Sequence, residues 1–225
     1  MTTAGRRIGV LGGTFDPIHV GHLDAAAAAQ TALALDVILF IPANAPPHRS
    51  TEPRASAFHR FALAALALNG QDQYRLTDLE LRRSGPSYTA VTLRELHEKG
   101  WRPSQIFFIL GADAFAEIAM WHGYPAILDA CHFAVIARPG TTGDAAFART
   151  PSLRSRARPI AEATRETATT SVFFVDASTS AVSSSDIRLR LAEGRPIEGL
   201  VPPAVARHIH FHHLYTAVDD LHGEN

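Results

Sequence analysis

Six short runs of β-branched, aromatic and aliphatic residues recur along the chain, with alanine- or leucine-rich segments of helical period between them. That alternation constrains the fold more than any other feature, because parallel strands need helical crossovers while antiparallel ones need only turns. The runs predict strands over residues 6–11, 37–41, 74–81, 106–110, 133–137 and 172–176. Helices are expected over 20–34, 57–68, 87–99 and 183–194, the last with serines at its start and Gly194 at its stop. The expected fold is α/β: a Rossmann-like, doubly wound parallel sheet with helices on both faces and a small C-terminal helical portion. Residues 1–225 read as a single domain, with a helical subdomain over about 183–225. Residues 139–170, rich in Gly, Pro, Ser, Thr and Arg, read as a connecting, mobile segment.

The unusual residues fall where those strands end. "GGTFDP" follows the first run, "PANAPPHR" the second, "GADAF" follows "IFFIL", "RPG" follows "FAVIA", and "SSSDIR" lies beyond "VFFVD". In an open parallel sheet the carboxyl ends of the strands share one edge, and ligands bind in the crevice there. Loops remote in sequence are therefore expected to converge.

"GGTFDPIHVGH" (12–22) carries the most chemistry. Gly12 and Gly13 allow a tight turn and close approach to a ligand. Pro17 prepares the helix start. His19 and His22 stand about one helical turn apart, at the helix end where backbone donors favour an anion. A histidine pair at this spacing can also be structural, or bind a metal, but no third ligand stands nearby. The glycine-proline context favours phosphate handling. Neither G-x-x-x-x-G-K-[ST] nor G-x-G-x-x-G occurs in the chain. "SSSDIR" reads either as an ordinary serine cap or as a second anion site, with Arg188 one turn in.

Bulk properties narrow the classes. Lysine plus arginine total 21 against 22 acidic residues, a net charge of −1, so a long nucleic acid or an anionic membrane is not an expected partner. The single cysteine, Cys131, excludes a disulfide framework within the chain and fits a reducing compartment. The apolar run after Arg6-Arg7 is cut by Gly12-Gly13 and Asp16, too early for a signal core, and no stretch approaches ~18 apolar residues. A cytoplasmic location is expected. The tail "HIHFHHLY", with His208, His210, His212 and His213, reads as an incidental amphipathic terminal helix in preference to a metal site; no metal ligand is assigned, and metal binding by these histidines is left open.

"GGTFDPIHVGHL" and "VSSSDIR" resemble the two signatures of the H/T-x-G-H nucleotidyltransferase superfamily. "PANAPPHR", "SGPSYTAVTL", "FFILGADAF", "MWHGY" and "ARPG", in that order, resemble the bacterial nicotinate-nucleotide adenylyltransferases. The likeness runs from Ile8 to about Tyr215, except over 139–170. It implies transfer of the adenylyl group of ATP to nicotinate mononucleotide, giving deamido-NAD and pyrophosphate, with Mg²⁺ carried by ATP. The small-molecule partners would be ATP and nicotinate mononucleotide; assembly into a homo-oligomer is left open.

The resemblance also implies roles. His19, His22 and Arg188 would be catalytic. Gly12, Gly13, Thr14, Phe15, His22, Gly111, Asp113, Arg138, Ser184, Ser185 and Arg188 would bind ATP, with Asp113 on its ribose. Asn44, His48, Arg49, Thr89 and Trp121 would bind the mononucleotide, Thr89 at the nicotinate carboxylate and Trp121 stacked on the ring. Val182 and Ser185 stand where isoleucine and threonine are usual, which costs one methylene and keeps the hydroxyl.

Overall fold

The computed structural model describes residues 5–46, 52–137, 147–163 and 169–216. Its centre is one sheet of six strands in the order β3-β2-β1-β4-β5-β6, every neighbouring pair parallel. The strands are β1 (Ile8–Gly13), β2 (Val37–Pro42), β3 (Tyr74–Leu76), β4 (Ile106–Gly111), β5 (His132–Ala137) and β6 (Val172–Asp176). The order reverses between β1 and β4, which makes their carboxyl ends the switch point of a doubly wound sheet.

Both faces of the sheet are covered, so its central strands are apolar throughout rather than alternating with polar residues. Side-chain direction still alternates. Leu11, Phe107 and Ile109 join one buried cluster with Ala26, Ala29 and Leu33 of α1 (Val20–Leu33) and Leu63 and Ala64 of α2 (Ala57–Leu68). Val10, Phe108 and Leu110 join the other, with Leu93 and Leu96 of α3 (Thr89–Glu98) and Phe115 of α4 (Ala112–Ala116). The last two helices, α5 (Ser184–Ala192) and α6 (Pro203–Phe211), bury Ile187, Val205 and Ile209 in the first cluster. Gly9 makes room for its neighbours: a Cβ there would lie 2.5 Å from Ile38 Cδ1 and 2.8 Å from Ile109 Cδ1, so both buried side chains would have to shift.

Several strand boundaries differ from the sequence reading. The first strand begins at Ile8 and runs through Gly13, so Gly12 and Gly13 extend the ladder opposite Ile41 and Pro42 instead of turning. Pro42 can end β2 because the next bond passes to Ala43, whose N–H donates to the Gly13 carbonyl at 2.8 Å. The third strand stops at Leu76, although the apolar alternation continues to Leu81. There Asp78 starts a turn, closed by the Arg82 backbone N–H on its carbonyl (3.1 Å) and the Arg82 side chain on its carboxylate (2.7 Å).

Part of the 139–170 segment is well organised. Residues 147–163 hold two 3₁₀ turns, Pro151–Arg156 and Ile160–Glu162, and bury Phe147 and Leu153. Arg158 N–H donates to the Val172 carbonyl at 3.0 Å, so this stretch covers the open edge of β6. Residues 139–146 and 164–168 lie outside the described residues. Among the described residues, no helix is long and apolar enough to cross a membrane.

Candidate active site

One cavity of about 700 Å³ opens at the carboxyl ends of β1 and β4. Gly12, Gly13 and Thr14 form one wall and Gly111 and Asp113 another, with His19 and His22 rising from the start of α1. Its far end is lined by Ser87, Tyr88 and Thr89 at the start of α3, with Trp121 and His122 opposite.

The loop between β1 and α1 owes its shape to its own residues. Phe15, not a glycine, takes the left-handed backbone (φ 51°), and the Asp16–Pro17 peptide is cis. Phe15 is buried and meets His22 edge-on at 5.1 Å between centroids, so it supports the histidine from behind rather than lining the cavity. His19 is the N-cap residue of α1. Its backbone N–H donates to His22 Nδ1 at 3.2 Å, and the two rings lie 3.7 Å apart with a 31° tilt. Gly21 permits this: a Cβ would sit 3.2 Å from the His19 ring and 3.3 Å from the Ser180 carbonyl. Burial pulls His19 down to about 4, with Asp24 opposing weakly, so the ring is neutral near pH 7. Its Nδ1 is buried with no hydrogen-bond partner, a polar atom waiting for one. Helix donors are only partly available, since Val20 N–H is taken by the Leu200 carbonyl at 3.0 Å.

Asp16 ties this loop to the rest of the molecule. Its carboxylate accepts from the backbone N–H groups of Arg54 (2.9 Å) and Ala55 (3.0 Å) and from the Tyr215 hydroxyl (2.8 Å). Burial beside that carboxylate pushes the Tyr215 phenol well above its usual range, so it remains a donor. Arg188 donates to the Asp16 carbonyl at 2.7 Å and lies 3.8 Å from its carboxylate. From the other side Arg60, 1% exposed, donates to the carbonyls of Thr14 (2.8 Å) and Ala43 (2.6 Å).

At the far end, Asn44 N–H donates to Ser87 Oγ (2.9 Å) and its side-chain amide to the Arg83 carbonyl (3.0 Å), knitting the loop after β2 to the start of α3. Trp121 meets Phe108 edge-on, with ring centroids 5.9 Å apart, and Tyr88 stacks on His122 at 4.3 Å. Glu80 lies beneath, accepting from the Thr92 hydroxyl; burial raises its carboxyl, with Thr92, Ser87 and Arg83 opposing.

The structure thus brings Gly12, Gly13, Thr14, His19, His22, Gly111, Asp113, Thr89 and Trp121 to one cavity. Phe15, Asn44, Ser184, Ser185 and Arg188 stand off its wall. Ser184 donates to the Pro17 carbonyl at 2.9 Å, and Ser185 accepts from Arg188 at 3.1 Å. From that region it is Thr179, Ser180 and Val182 that face the cavity. Ser180 is placed there by donating to Asp24 through its N–H (2.9 Å) and hydroxyl (2.7 Å). His48, Arg49 and Arg138 lie outside the described residues. Sequence reasoning missed Tyr88, His122, Thr179, Ser180, Glu80, Asp16 and Arg60. Arg60 left a signal of its own, as a charge on the apolar stripe of "AFHRFALAALAL", while Asp16, Tyr88 and His122 stand inside "GGTFDP", "SGPSYTAVTL" and "MWHGY" without having been singled out.

A parallel sheet with a histidine-bearing loop at its switch point, and one cavity running from that loop to an aromatic and hydroxyl-lined end, defines a nucleotide-handling α/β protein. The cytidylyltransferase-like family model matches residues 10–190. A probable nicotinate-nucleotide adenylyltransferase of Pseudomonas aeruginosa is 37% identical over 95% of this chain and 99% of its own. A counterpart from Roseiflexus sp. is 38% identical over 92% and 97%. Among solved structures, the nicotinic acid mononucleotide adenylyltransferase of Plasmodium falciparum complexed with NaAD superimposes with a TM-score of 0.68, at 19% identity over 93% of this chain and 97% of that one. The same enzyme complexed with APC gives 0.66 at 17% identity, again over 93% and 97%. The chain belongs to the cytidylyltransferase-like family and, within it, to the nicotinate-nucleotide adenylyltransferases. It is a nucleotidyltransferase of NAD biosynthesis that transfers an adenylyl group.

Proposed function

We propose that the cavity holds ATP and nicotinate mononucleotide together, and that the mononucleotide 5′-phosphate displaces pyrophosphate from the α-phosphorus of ATP in one in-line step. The observation that carries this reading is the continuity of the cavity: the His19/His22 end and the Thr89/Trp121 end share a single void of about 700 Å³. An attacking phosphate is already ionised near neutral pH, so no general base and no covalent intermediate are needed. Alignment supplies most of the acceleration, worth roughly 7–11 kcal/mol when the reacting atoms are well placed.

In this reading Gly12, Gly13 and Thr14 let the triphosphate lie close to the backbone. His22 and His19 offer ring N–H groups to oxygens that gain charge as the α–β bond breaks. Phosphate supplies the partner that His19 Nδ1 lacks. Asp113 accepts from the ribose hydroxyls. Arg188, Ser184 and Ser185 act from behind the loop, through Asp16 and Pro17, and Arg138 adds charge to the phosphates. ATP enters as its Mg²⁺ complex. Among the described residues, the metal-ligating side chains that cluster in threes lie outside the cavity wall, and Asp113 and Glu80 are the carboxylates that line it.

At the other end, Thr89 and the first turn of α3 receive the nicotinate carboxylate, Trp121 covers the pyridine ring, and His48 and Arg49 neutralise the mononucleotide phosphate. Donors directed at a carboxylate lose about 1–3 kcal/mol when an amide replaces it. Pyrophosphate release measured with ATP, Mg²⁺ and either mononucleotide tests the proposal. A clear preference for the acid is expected; equal rates would remove the carboxylate assignment, and no release with either would remove the reaction.

A further inference from the structure

Away from the cavity, α2 and α6 bring three imidazoles together. His59 lies in the first turn of α2, His208 on α6, and His212 is the C-cap residue of α6. One ring nitrogen from each falls within 4.8 Å of the other two. His208 and His212 stand four apart, the helical spacing that sets two imidazoles on one face as a ligand pair. Their ring centroids are 4.4 Å apart, and the His59 ring lies 4.8 Å from His212 and 5.3 Å from His208.

The closest contact carries the argument. His59 Nδ1 and His208 Nε2 are 3.1 Å apart. Two nitrogens bound to a tetrahedral zinc ion at about 2.0–2.1 Å stand roughly 3.3 Å from each other. An ion could therefore replace the proton now shared by these rings with little movement of either helix. His212 is exposed, leaving the fourth position of a tetrahedral ion open to water.

We propose that His59, His208 and His212 form a binding site for a borderline divalent transition-metal ion of the zinc class, pinning α6 to α2. Three neutral imidazoles suit zinc, nickel or copper and do not suit magnesium or calcium, which take oxygen ligands. The staple would tighten more than the helix pair. The residue after His59 is Arg60, whose guanidinium grips the carbonyls of Thr14 and Ala43, and Tyr215, just beyond α6, holds the Asp16 carboxylate. An ion between α2 and α6 thus draws together two anchors of the β1–α1 loop.

The test is a chelator-buffered zinc titration of the metal-free, untagged full chain, without nucleotide, read by thermal midpoint and by the visible absorption of a Co²⁺-substituted sample. The expected result is one ion per chain at micromolar or tighter affinity, with the absorption of a four-coordinate site. At about a hundredfold excess over Kd the midpoint should rise roughly 5–10 °C, and magnesium should produce no rise. His208→Ala should abolish the zinc effect, and His212→Gln, at an exposed position with little bearing on folding, should weaken it at least tenfold. His22→Ala should leave it unchanged. Millimolar affinity, insensitivity to both His208→Ala and His212→Gln, or loss in His22→Ala alone would each overturn the proposal.

Discussion

The His19 backbone N–H can donate to His22 Nδ1 only while that nitrogen carries no proton, so the neutral ring keeps its proton on Nε2. Phe15, edge-on behind the ring, fixes its plane. An oriented donor of this kind acts on charge that develops during reaction more than on the resting substrate. His22→Ala should therefore lower turnover by more than a hundredfold with little change in thermal midpoint; a folded variant of full activity would remove the role. Trp121 presents the complementary case, since the ring stacking proposed for it would be present before and during the reaction alike. Trp121→Ala should raise KM for the mononucleotide about tenfold and leave KM for ATP alone, and a change confined to ATP would contradict its placement. The two histidines and the tryptophan stand out in the sequence because their residue types are rare in such a setting. Tyr88 and His122 do not, for their stacking joins a helix start to a loop and depends on how α3 meets the turn after α4.

Elements are held to the sheet by polar anchors as well as by apolar faces. The amphipathic period of α2 gave its bounds, 57–68, directly, because one buried stripe and a serine cap are local properties. Arg60 within that stripe is another matter. Its partners, Thr14, Ala43, Asn44 and Ala55, come from three segments that only the folded sheet assembles. Burial depresses the guanidinium, and Asp16, Tyr215 and Glu52 oppose it, but the group remains charged and is offset by Asp16. Arg60→Leu would strand the Thr14 and Ala43 carbonyls and remove a buried positive charge that offsets Asp16. The expected loss is about 3–5 kcal/mol, seen as a lower urea midpoint. A loss under about 1 kcal/mol would show that water replaces the guanidinium. The same reasoning explains Arg188, which the sequence pattern directs at phosphate. The contact on hand is with the Asp16 carbonyl, so the side chain braces the loop from outside the cavity wall.

Across the whole molecule, topology was legible because parallel strands advertise themselves as fully apolar runs, and their carboxyl ends must share an edge. The reach of "YRLTDLEL" was not, since a turn at Asp78 overrides a strand period that continues past it. Burial of two imidazoles, His19 and His132, is a global property too, and it makes stability depend on pH. Burial draws each to about 4, from an ordinary value of 6.5. His132 lies 4.7 Å from the Phe107 ring, its Nδ1 accepting from Ser171 N–H at 2.9 Å, with Arg7 adding to the downward shift. Between pH 6.5 and 4 the unfolded chain takes up protons on these rings while the folded chain does not. Their contribution is therefore complete above pH 6.5 and is lost as pH falls toward 4, on the order of 3 kcal/mol for each ring at most. Lowered His208 acts in the same direction, and raised Glu80 in the opposite one. A paired comparison isolates the imidazole: urea unfolding of the native chain and of His132→Phe at pH 7, 6, 5 and 4.5. The variant loses the bond from Ser171 and starts less stable at pH 7, but its deficit should shrink with each step toward pH 4.5. A deficit that stays constant would mean that His132 is protonated in the folded chain as readily as in the unfolded one, and that its pocket is open to water.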